Sequence, residues 1–385
     1  MGLLRFLLAV CVIAGHSTRI LGLPLLDAGL AVRTFFMISG FYMTLILTSK
    51  YHVERGGGYW LFISNRFLRI YPSYLVVLAG SLLLYAAASF KLHAPADRLQ
   101  YWIEAWRGRH YVALGLIFLS QFSIFGLDII SLFDFSAQHG FGLKGTLGDN
   151  AVLAWRFNFL PHAWSISVEL FFYLAAPFIC LARRWIQVGL VIAGFAGSLA
   201  LLTWAPSPAS LAMVNHFFPF QISYLVLGAL SFHLLHPLFE KGRIHAAWSW
   251  CVLPPFAAAI LFYGWLPEWL AEVGTIGLGF FAVPLLFNLS RRVKFDRFVG
   301  DLSYPMYLSH IACRWVILAM MGVKQKDDSV LVPGWELLPL TVIVSVILLW
   351  LVDYPVDRWR QARVATREGV RRPDAHAGEV IASKS

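Results

Sequence analysis

Long apolar segments, separated by short polar stretches, run through almost the whole chain. Many of them approach the roughly 20 residues that a helix needs to cross about 30 Å of hydrocarbon. The segments cover residues 2–22, 25–48, 71–90, 111–133, 164–182, 186–204, 217–236, 247–265, 269–289, 303–321 and 337–353. This pattern predicts an all-α, polytopic transmembrane bundle over residues 1–353, followed by a polar tail at 354–385.

Composition supports the same class of protein. Of the 385 residues, 59% are hydrophobic and only 14% are charged, whereas a soluble domain carries about 25% charged residues. The polar side chains are too few to cover the surface, so lipid must cover the rest. No soluble domain of useful size fits between the apolar segments.

The net charge of +10 is better explained by membrane orientation than by nucleic-acid binding, because cytosolic loops collect lysine and arginine. More than half of the 31 basic residues lie in five regions. These regions are 49–70, 183–184, 237–246, 290–301 and 354–385. Placing all five in the cytosol puts both termini there, in a multi-pass inner-membrane protein.

Two cytosolic termini require an even number of crossings, so one of the eleven apolar segments does not cross. We expect it to be 111–133, re-entrant or at the outer interface, because a long polar stretch follows it. The sequence thus predicts ten crossings. The outer loop 91–110 is an exception to the charge rule, since it carries four basic residues. The basic tail 354–385 is expected to be partly disordered.

Ionisable side chains inside apolar segments are candidate functional residues, because each costs about 2.5–3.5 kcal/mol at the bilayer centre. Arg5 and His16 lie in the first segment, about 16 Å apart and on nearly the same face of one helix. A histidine with a pKa near 6.5 can accept a proton from a hydroxyl. A snorkelling arginine and a hydrogen-bonded core histidine are the simpler explanation.

The second and third segments offer further candidates. Arg33 lies at the outer end of the second span, where it can bind an anionic substrate or reach lipid head groups. Ser39 precedes Gly40, which lets a backbone or ligand approach closely. Arg66 and Arg69 are one turn apart before a span, a spacing that suits phosphate groups or anionic lipid.

Two later stretches add polar groups at the ends of spans. Residues 161–177, PHAWSISVELFFYLAAP, place Trp164, Ser165 and Glu169 together, with Ser165 and Glu169 on one helix face. A glutamate in this apolar setting needs a partner, either His16 or an arginine. Residues 302–311, LSYPMYLSHI, begin another span and contain Tyr307 and His310. No metal-ligand, nucleotide-loop or nicotinamide pattern occurs in the chain.

Together these stretches resemble the acyltransferase family 3 of membrane-integral O-acyltransferases, which modify bacterial surface glycans. The resemblance covers almost the whole chain and rests on five motifs in order. They are the Arg5–His16 spacing, FFMISGF (35–41), RFLR (66–69), WSISVE (164–169) and SYPMYLSH (303–310). The last helix departs from the family's Glu-x-Pro pattern, because Asp353 stands in the acidic position.

The resemblance implies transfer of an acyl group, usually acetyl, from cytosolic acyl-CoA to a hydroxyl of a carbohydrate or lipid-linked acceptor. CoA would be a co-substrate, with no permanently bound cofactor and no metal. Some relatives carry an additional hydrolase-like domain, which we do not expect here. A transporter or flippase for a glycan precursor or secondary metabolite is the alternative, since it would also explain the spans and the buried charges.

The predicted site residues fall into three groups. His16 and Glu169 are the candidate catalytic residues, and Arg5, Arg66 and Arg69 are the candidate donor-binding residues. The candidate acceptor or pocket residues are Arg33, Ser39, Trp164, Ser165, Tyr307 and His310.

Overall fold

The computed structural model describes residues 1–49, 58–92, 97–148, 151–240, 247–323 and 330–367. Helices dominate it, which confirms the predicted all-α polytopic bundle. They are α1 (Gly2–Ala14), α2 (Ala28–Ser49), α3 (Gly58–Leu92), α4 (Asp97–Arg107), α5 (Tyr111–Ser123), α6 (Leu127–Ile130), α7 (Trp164–Cys180), α8 (Arg184–Trp204), α9 (Pro208–His216), α10 (Phe218–Glu240), α11 (Ala247–Leu261), α12 (Glu268–Ser290), α13 (Lys294–Met320), α14 (Gly334–Leu348) and α15 (Tyr354–Arg367). A π-helical turn, Leu349–Asp353, joins α14 to α15.

Seven described helical stretches are long and apolar enough to cross a membrane. They are Ala28–Ser49, Gly58–Phe90, Pro161–Cys180, Arg184–Trp204, Pro208–Phe239, Glu268–Ser290 and Gly334–Arg363. Three shorter apolar helices, α1, α5 and α11, accompany them. Helix α13 is 27 residues long but begins with a charged turn. The chain is therefore a multi-pass membrane protein, while the number of ten crossings and the cytosolic termini stay predictions.

The first predicted segment is not one continuous helix. Helix α1 ends at Ala14, and His16 lies in the turn that follows. Polar residues after this turn bond to the segment before α14 instead of continuing the helix: the Thr18 N–H donates to Val332 O at 2.9 Å and the Gly334 N–H to Thr18 Oγ1 at 3.0 Å. The expectation that Arg5 and His16 share a helix is therefore wrong.

The region 111–133 contains two helices and the start of a small sheet. Helix α5 has 13 residues, about 20 Å at 1.5 Å per residue, which is short for a crossing. It ends where Ile124 (φ 69°) and Gly126 (φ 86°) adopt positive φ values. That the region does not cross stays a prediction.

A three-stranded antiparallel sheet follows α6, and the sequence did not predict it. Its strands are β1 (Phe133–Ser136), β2 (Gly140–Leu143) and β3 (Val152–Leu153), in the order β2-β1-β3. Strand β1 pairs with β2 through a hairpin in which Gly140 has φ 74°. Such short strands leave little periodic signal in a sequence.

Helix α2 packs tightly against α10 through two glycines. A Cβ atom at Gly40 would lie 1.8 Å from Leu225 O, and one at Gly228 would lie 1.9 Å from Met37 O. The two backbones therefore approach more closely than any larger side chain would allow, which is typical of helix pairs in membranes. This contact holds α2 in place, and Ser39 of the same helix donates a hydrogen bond to Glu169 of α7.

The beginning of the expected tail is helical. Helix α15 lies against α3, where Arg360 Nη1 donates to Asn65 O at 3.3 Å and Arg363 Nη2 to Ser64 Oγ at 3.2 Å. Ser73 of α3 donates to Asp353 in the π-helical turn. The expected disorder of residues 368–385 lies outside the described residues, and the domain boundary at residue 353 stays a prediction.

Candidate active site

A cavity of about 490 Å³ lies inside the bundle, bordered by α1, α2, α3, α7, α12, α13 and α15. Its lining on α2 extends from Val32 to Ile46, which is about 20 Å at 1.5 Å per residue. The cavity therefore runs along the helices instead of across them.

Seven of the predicted site residues line this cavity. They are Arg5, Ser39, Arg66, Arg69, Ser165, Glu169 and Tyr307. Four others lie outside its lining, namely His16, Arg33, Trp164 and His310. Residues from five helices, the farthest of them 302 positions apart in the chain, thus meet at one cavity.

One end of the cavity is strongly basic. Its arginines outnumber the three lining carboxylates by two to one. The arginines are Arg5, Arg66, Arg69, Arg291, Arg297 and Arg360, and the carboxylates are Glu169, Asp296 and Asp301. Within the described ranges, the guanidinium groups of Arg5 and Arg69 make no hydrogen bond or ion pair. Partly buried cations without hydrogen-bonded partners are costly unless an anion binds them.

Asp296 fixes the start of α1 beside this basic end. Its carboxylate accepts hydrogen bonds from the backbone N–H groups of Gly2 (2.7 Å) and Leu3 (2.8 Å) and from the Met1 ammonium (2.8 Å). Burial alone would raise the pKa of Asp296, but these hydrogen bonds hold it well below its usual range. An anion at a helix N-terminus also interacts favourably with the helix dipole, so Asp296 positions the helix that carries Arg5.

Glu169 lies in the middle of the cavity wall. Ser39 Oγ donates to its Oε1 at 2.7 Å, and Tyr173 OH donates to the same oxygen at 2.5 Å. The partner expected for this glutamate was His16 or an arginine, but two hydroxyl groups satisfy it instead. Glu169 thereby ties α2 to α7 across the cavity.

The opposite end of the cavity contains hydroxyl groups and few charges. Tyr307 OH lies 2.6 Å from Ser165 Oγ and donates to His162 O at 2.9 Å. Ser165 Oγ is also within hydrogen-bond distance of His162 O, at 3.2 Å, so the two hydroxyl groups share this carbonyl and either can donate to the other. Phe35 and Phe36 of α2 line the same part of the cavity.

Three histidine rings lie behind Tyr307. The ring centroids of His16 and His310 are 5.2 Å apart, and those of His310 and His162 are 4.8 Å apart. The Tyr307 ring is 5.9 Å from His310. His16 does not line the cavity itself, but contacts between neighbouring rings connect it to the cavity wall by way of His310 and Tyr307.

Backbone carbonyls determine which nitrogens of two of these rings carry hydrogen. His310 Nδ1 is 2.6 Å from Tyr307 O, and His162 Nε2 is 3.1 Å from Leu308 O. Since a carbonyl only accepts, both of these nitrogens are donors. His310 Nε2 and His162 Nδ1 are buried and make no hydrogen bond to any described residue. They are thus two buried acceptors beside His16.

Arg33 and Trp164 belong to a separate polar and aromatic cluster. Arg33 Nη2 donates to Asn215 Oδ1 at 2.7 Å, and its guanidinium lies 5.5 Å from the Tyr224 ring. The Trp164 and His216 rings are 4.6 Å apart. Phe36 connects this cluster to the cavity, because it lines the cavity and its ring is 6.4 Å from Trp164.

The sequence did not point to several residues that the structure brings into this region. Tyr304 lines the cavity and donates to Ile70 O at 2.8 Å. His162 stood two residues before the recognised WSISVE stretch, and Tyr173 lies one turn after Glu169. For Tyr173, the (i, i+4) spacing from Glu169 was the signal that could have found it.

The fold and cavity define a membrane-embedded helical protein with a basic cavity that leads to a cluster of hydroxyl and imidazole groups. A family model for an acyltransferase domain matches residues 1–354. The chain belongs to this family, acyltransferase family 3, as its motifs suggested. Comparison with curated proteins and with solved structures gave no match. The protein is therefore a membrane acyltransferase in the general sense.

Proposed function

We propose that the protein is an O-acyltransferase that transfers an acyl group, most simply acetyl, from cytosolic acyl-CoA to a hydroxyl of a carbohydrate or lipid-linked acceptor. The observation that supports this best is the single cavity shared by Arg5, Arg66, Arg69 and Glu169. Phosphate groups of CoA match the basic end, since arginine binds phosphate bidentately. The cavity's length along α2 gives the pantetheine arm a path toward Tyr307.

In the proposed reaction, the acceptor hydroxyl approaches the half-buried His16 from the outer side. His16 removes the hydroxyl proton as the oxygen attacks the thioester carbonyl, and the carbon–sulfur bond then breaks. The departing CoA thiolate takes the proton back, which leaves the ester and CoA thiol. A general base of this kind contributes about 10²–10⁴-fold to a rate.

A covalent route uses the same residues. His16 would attack the thioester first, and the acceptor hydroxyl would then attack the acyl-imidazole. Incubating purified protein with radiolabelled acetyl-CoA, without acceptor, distinguishes the routes. Label retained on a peptide that contains His16 supports the covalent route, whereas unlabelled protein supports direct transfer.

The decisive experiment measures CoA binding and thioester cleavage in purified protein. We expect saturable binding of CoA that is lost when Arg66 and Arg69 are both replaced by glutamine, and CoA thiol release that depends on acceptor. The alternative, a transporter or flippase, predicts substrate flux across proteoliposomes without thioester cleavage. Wild-type protein that neither binds CoA nor cleaves acetyl-CoA would refute the proposed function.

In the cell, we place the protein in the bacterial inner membrane with both termini in the cytosol. The supporting observation is that the basic end of the cavity includes Arg291, Arg297 and Arg360, which all belong to the regions assigned to the cytosol by charge. A cytosolic donor would therefore meet the basic end first. Reporter fusions or cysteine accessibility at each terminus would test this orientation.

A further inference from the structure

Helix α15 forms part of the cavity wall, although it lies almost entirely outside the residues that match the family. The family match ends at residue 354, and α15 spans Tyr354–Arg367. Two of its side chains, Arg360 and Gln361, line the cavity. Arg360 is therefore an additional cation in the basic end, from a helix that the family resemblance does not cover.

Hydrogen bonds hold Arg360 in a defined position beside α3. Its Nη1 donates to Asn65 O at 3.3 Å, and its Nη2 forms an ion pair with Asp357 one turn earlier. Gln361 also donates to Asp357, so this carboxylate is satisfied from two sides. A guanidinium has five N–H donors. The Nε of Arg360 makes no hydrogen bond to a described residue, and Arg360 lines the cavity.

The charges of α3 and α15 indicate which kind of ligand this part of the cavity binds. Arg66 and Arg69 of α3 and Arg360 of α15 line the same cavity. Like charges inside a partly buried wall repel one another more strongly than they would in water. A multiply charged anion in the cavity would turn this repulsion into attraction, and phosphate groups fit the guanidinium geometry best.

We propose that Arg360 is a phosphate-binding residue of the donor site and that α15 closes this site against α3. The inference deepens the proposed function and rests on it, because the phosphates are those of the CoA donor. Arg360 lies beside the first turns of α3, so its ligand is shared with Arg66 and Arg69. The donor site is thus completed by a helix that begins where the family match ends.

The test compares two arginines of α15 in full-length protein, purified in detergent. Arg360→Gln removes the cavity-lining guanidinium, whereas Arg358→Gln removes an exposed one on the same helix. Isothermal titration with CoA should show affinity lowered about tenfold or more for Arg360→Gln and unchanged for Arg358→Gln. Arg360→Lys should recover part of the loss, because it keeps the charge.

Two further ligands separate phosphate binding from a structural role. If Arg360 binds the 3′-phosphate, the effect of Arg360→Gln disappears with dephospho-CoA; if it binds the pyrophosphate, the effect persists. In both cases S-acetylpantetheine, which lacks all phosphates, should have the same inhibition constant for wild type and Arg360→Gln in an acetyl-CoA cleavage assay. A larger inhibition constant for Arg360→Gln would show that the arginine supports the fold, and would overturn the inference.

The outcomes also separate this inference from the proposed function. Wild-type protein without saturable CoA binding would remove the proposed function, and the inference with it. Wild-type binding with equal affinities for Arg360→Gln and Arg358→Gln would overturn the inference alone. Thermal unfolding of each variant without ligand checks that the helix contact with α3 has survived the substitution.

Discussion

The two ends of the cavity differ in whether their polar side chains are hydrogen-bonded within the protein. At the basic end, the guanidinium groups of Arg5 and Arg69 make no hydrogen bonds within the described part of the chain, so their binding capacity is left for a ligand. At the other end, Ser165 and Tyr307 are hydrogen-bonded to each other and to the backbone. Guanidinium groups whose N–H donors have no hydrogen-bond acceptor favour binding of an anion, whereas hydrogen-bonded neutral groups hold a fixed geometry for chemistry.

The largest effect should come from replacing His16, which lies behind the hydroxyl groups at the end opposite the basic one. Replacing His16 by alanine removes the proposed base, so acyl transfer should fall by about 10²–10⁴-fold while CoA affinity stays at the wild-type value. Transfer rates and titration with CoA measure the two quantities separately. His139→Ala, in an exposed hairpin that does not line the cavity, is the matched control. Nearly full activity in His16→Ala protein that binds CoA would disprove the assignment.

The basic end should show the reverse pattern. Arg69→Gln removes charge-assisted hydrogen bonds worth about 1.5–3 kcal/mol each, so we expect CoA affinity to fall about 10–100-fold. The rate at saturating donor should change much less. Arg292→Gln, next to the lining residue Arg291 but itself outside the lining, serves as the control. If Arg69→Gln kept its CoA affinity but lost its transfer rate at saturating donor, the basic end would not be the donor-binding end.

Glu169 joins the two ends, and its removal should destabilise the protein. Glu169→Ala leaves the hydroxyl groups of Ser39 and Tyr173 without their acceptor, at a cost of about 1–3 kcal/mol for a buried group left unsatisfied. Glu169→Gln keeps one acceptor oxygen and should lose less. Thermal unfolding in detergent compares the variants. Equal melting temperatures for all three proteins would show that these hydrogen bonds do not stabilise the contact between α2 and α7.

The smallest effect is expected for Tyr307→Phe. This substitution keeps the ring against His310 but removes the hydrogen bond to His162 O, which is worth about 0.5–1.5 kcal/mol. Transfer should therefore slow only several-fold, through a displaced His162 and His310, with the KM for the donor unchanged. Ser165→Ala, which removes the other side of this contact, should behave similarly. A large rise in the KM for the donor in either variant would place the donor thioester directly on these hydroxyl groups.

The helical bundle and much of the cavity could be predicted because both depend on strong local signals. Apolar length marks a spanning helix, and a charge in an apolar helix marks a polar cavity. Arg5 and Glu169 were predicted in this way, Arg66 and Arg69 from their spacing before a span, and Ser39 from the glycine beside it; all five line the cavity. Their mutual arrangement could not be predicted, because the pairing of Glu169 with Ser39 depends on how α2 and α7 pack.

Other features carried misleading or weak signals. The apolar character of residues 2–22 concealed the end of α1 at Ala14, since the bonds that replace the helix come from the distant Val332 and Gly334. The charged composition of the tail suggested disorder, although contacts with α3 make its first part helical. Long-range contacts of this kind leave no periodicity within the segment itself.

The close contact between α2 and α10 has a mechanical consequence. With Gly40 against Leu225 and Gly228 against Met37, the backbone of α2 has no space into which to retreat. This side of the cavity is therefore held in place, and any widening during turnover must come from the other helices that line it. We expect backbone amide exchange to respond to substrate on those helices, such as α13 and α15, while α2 stays silent.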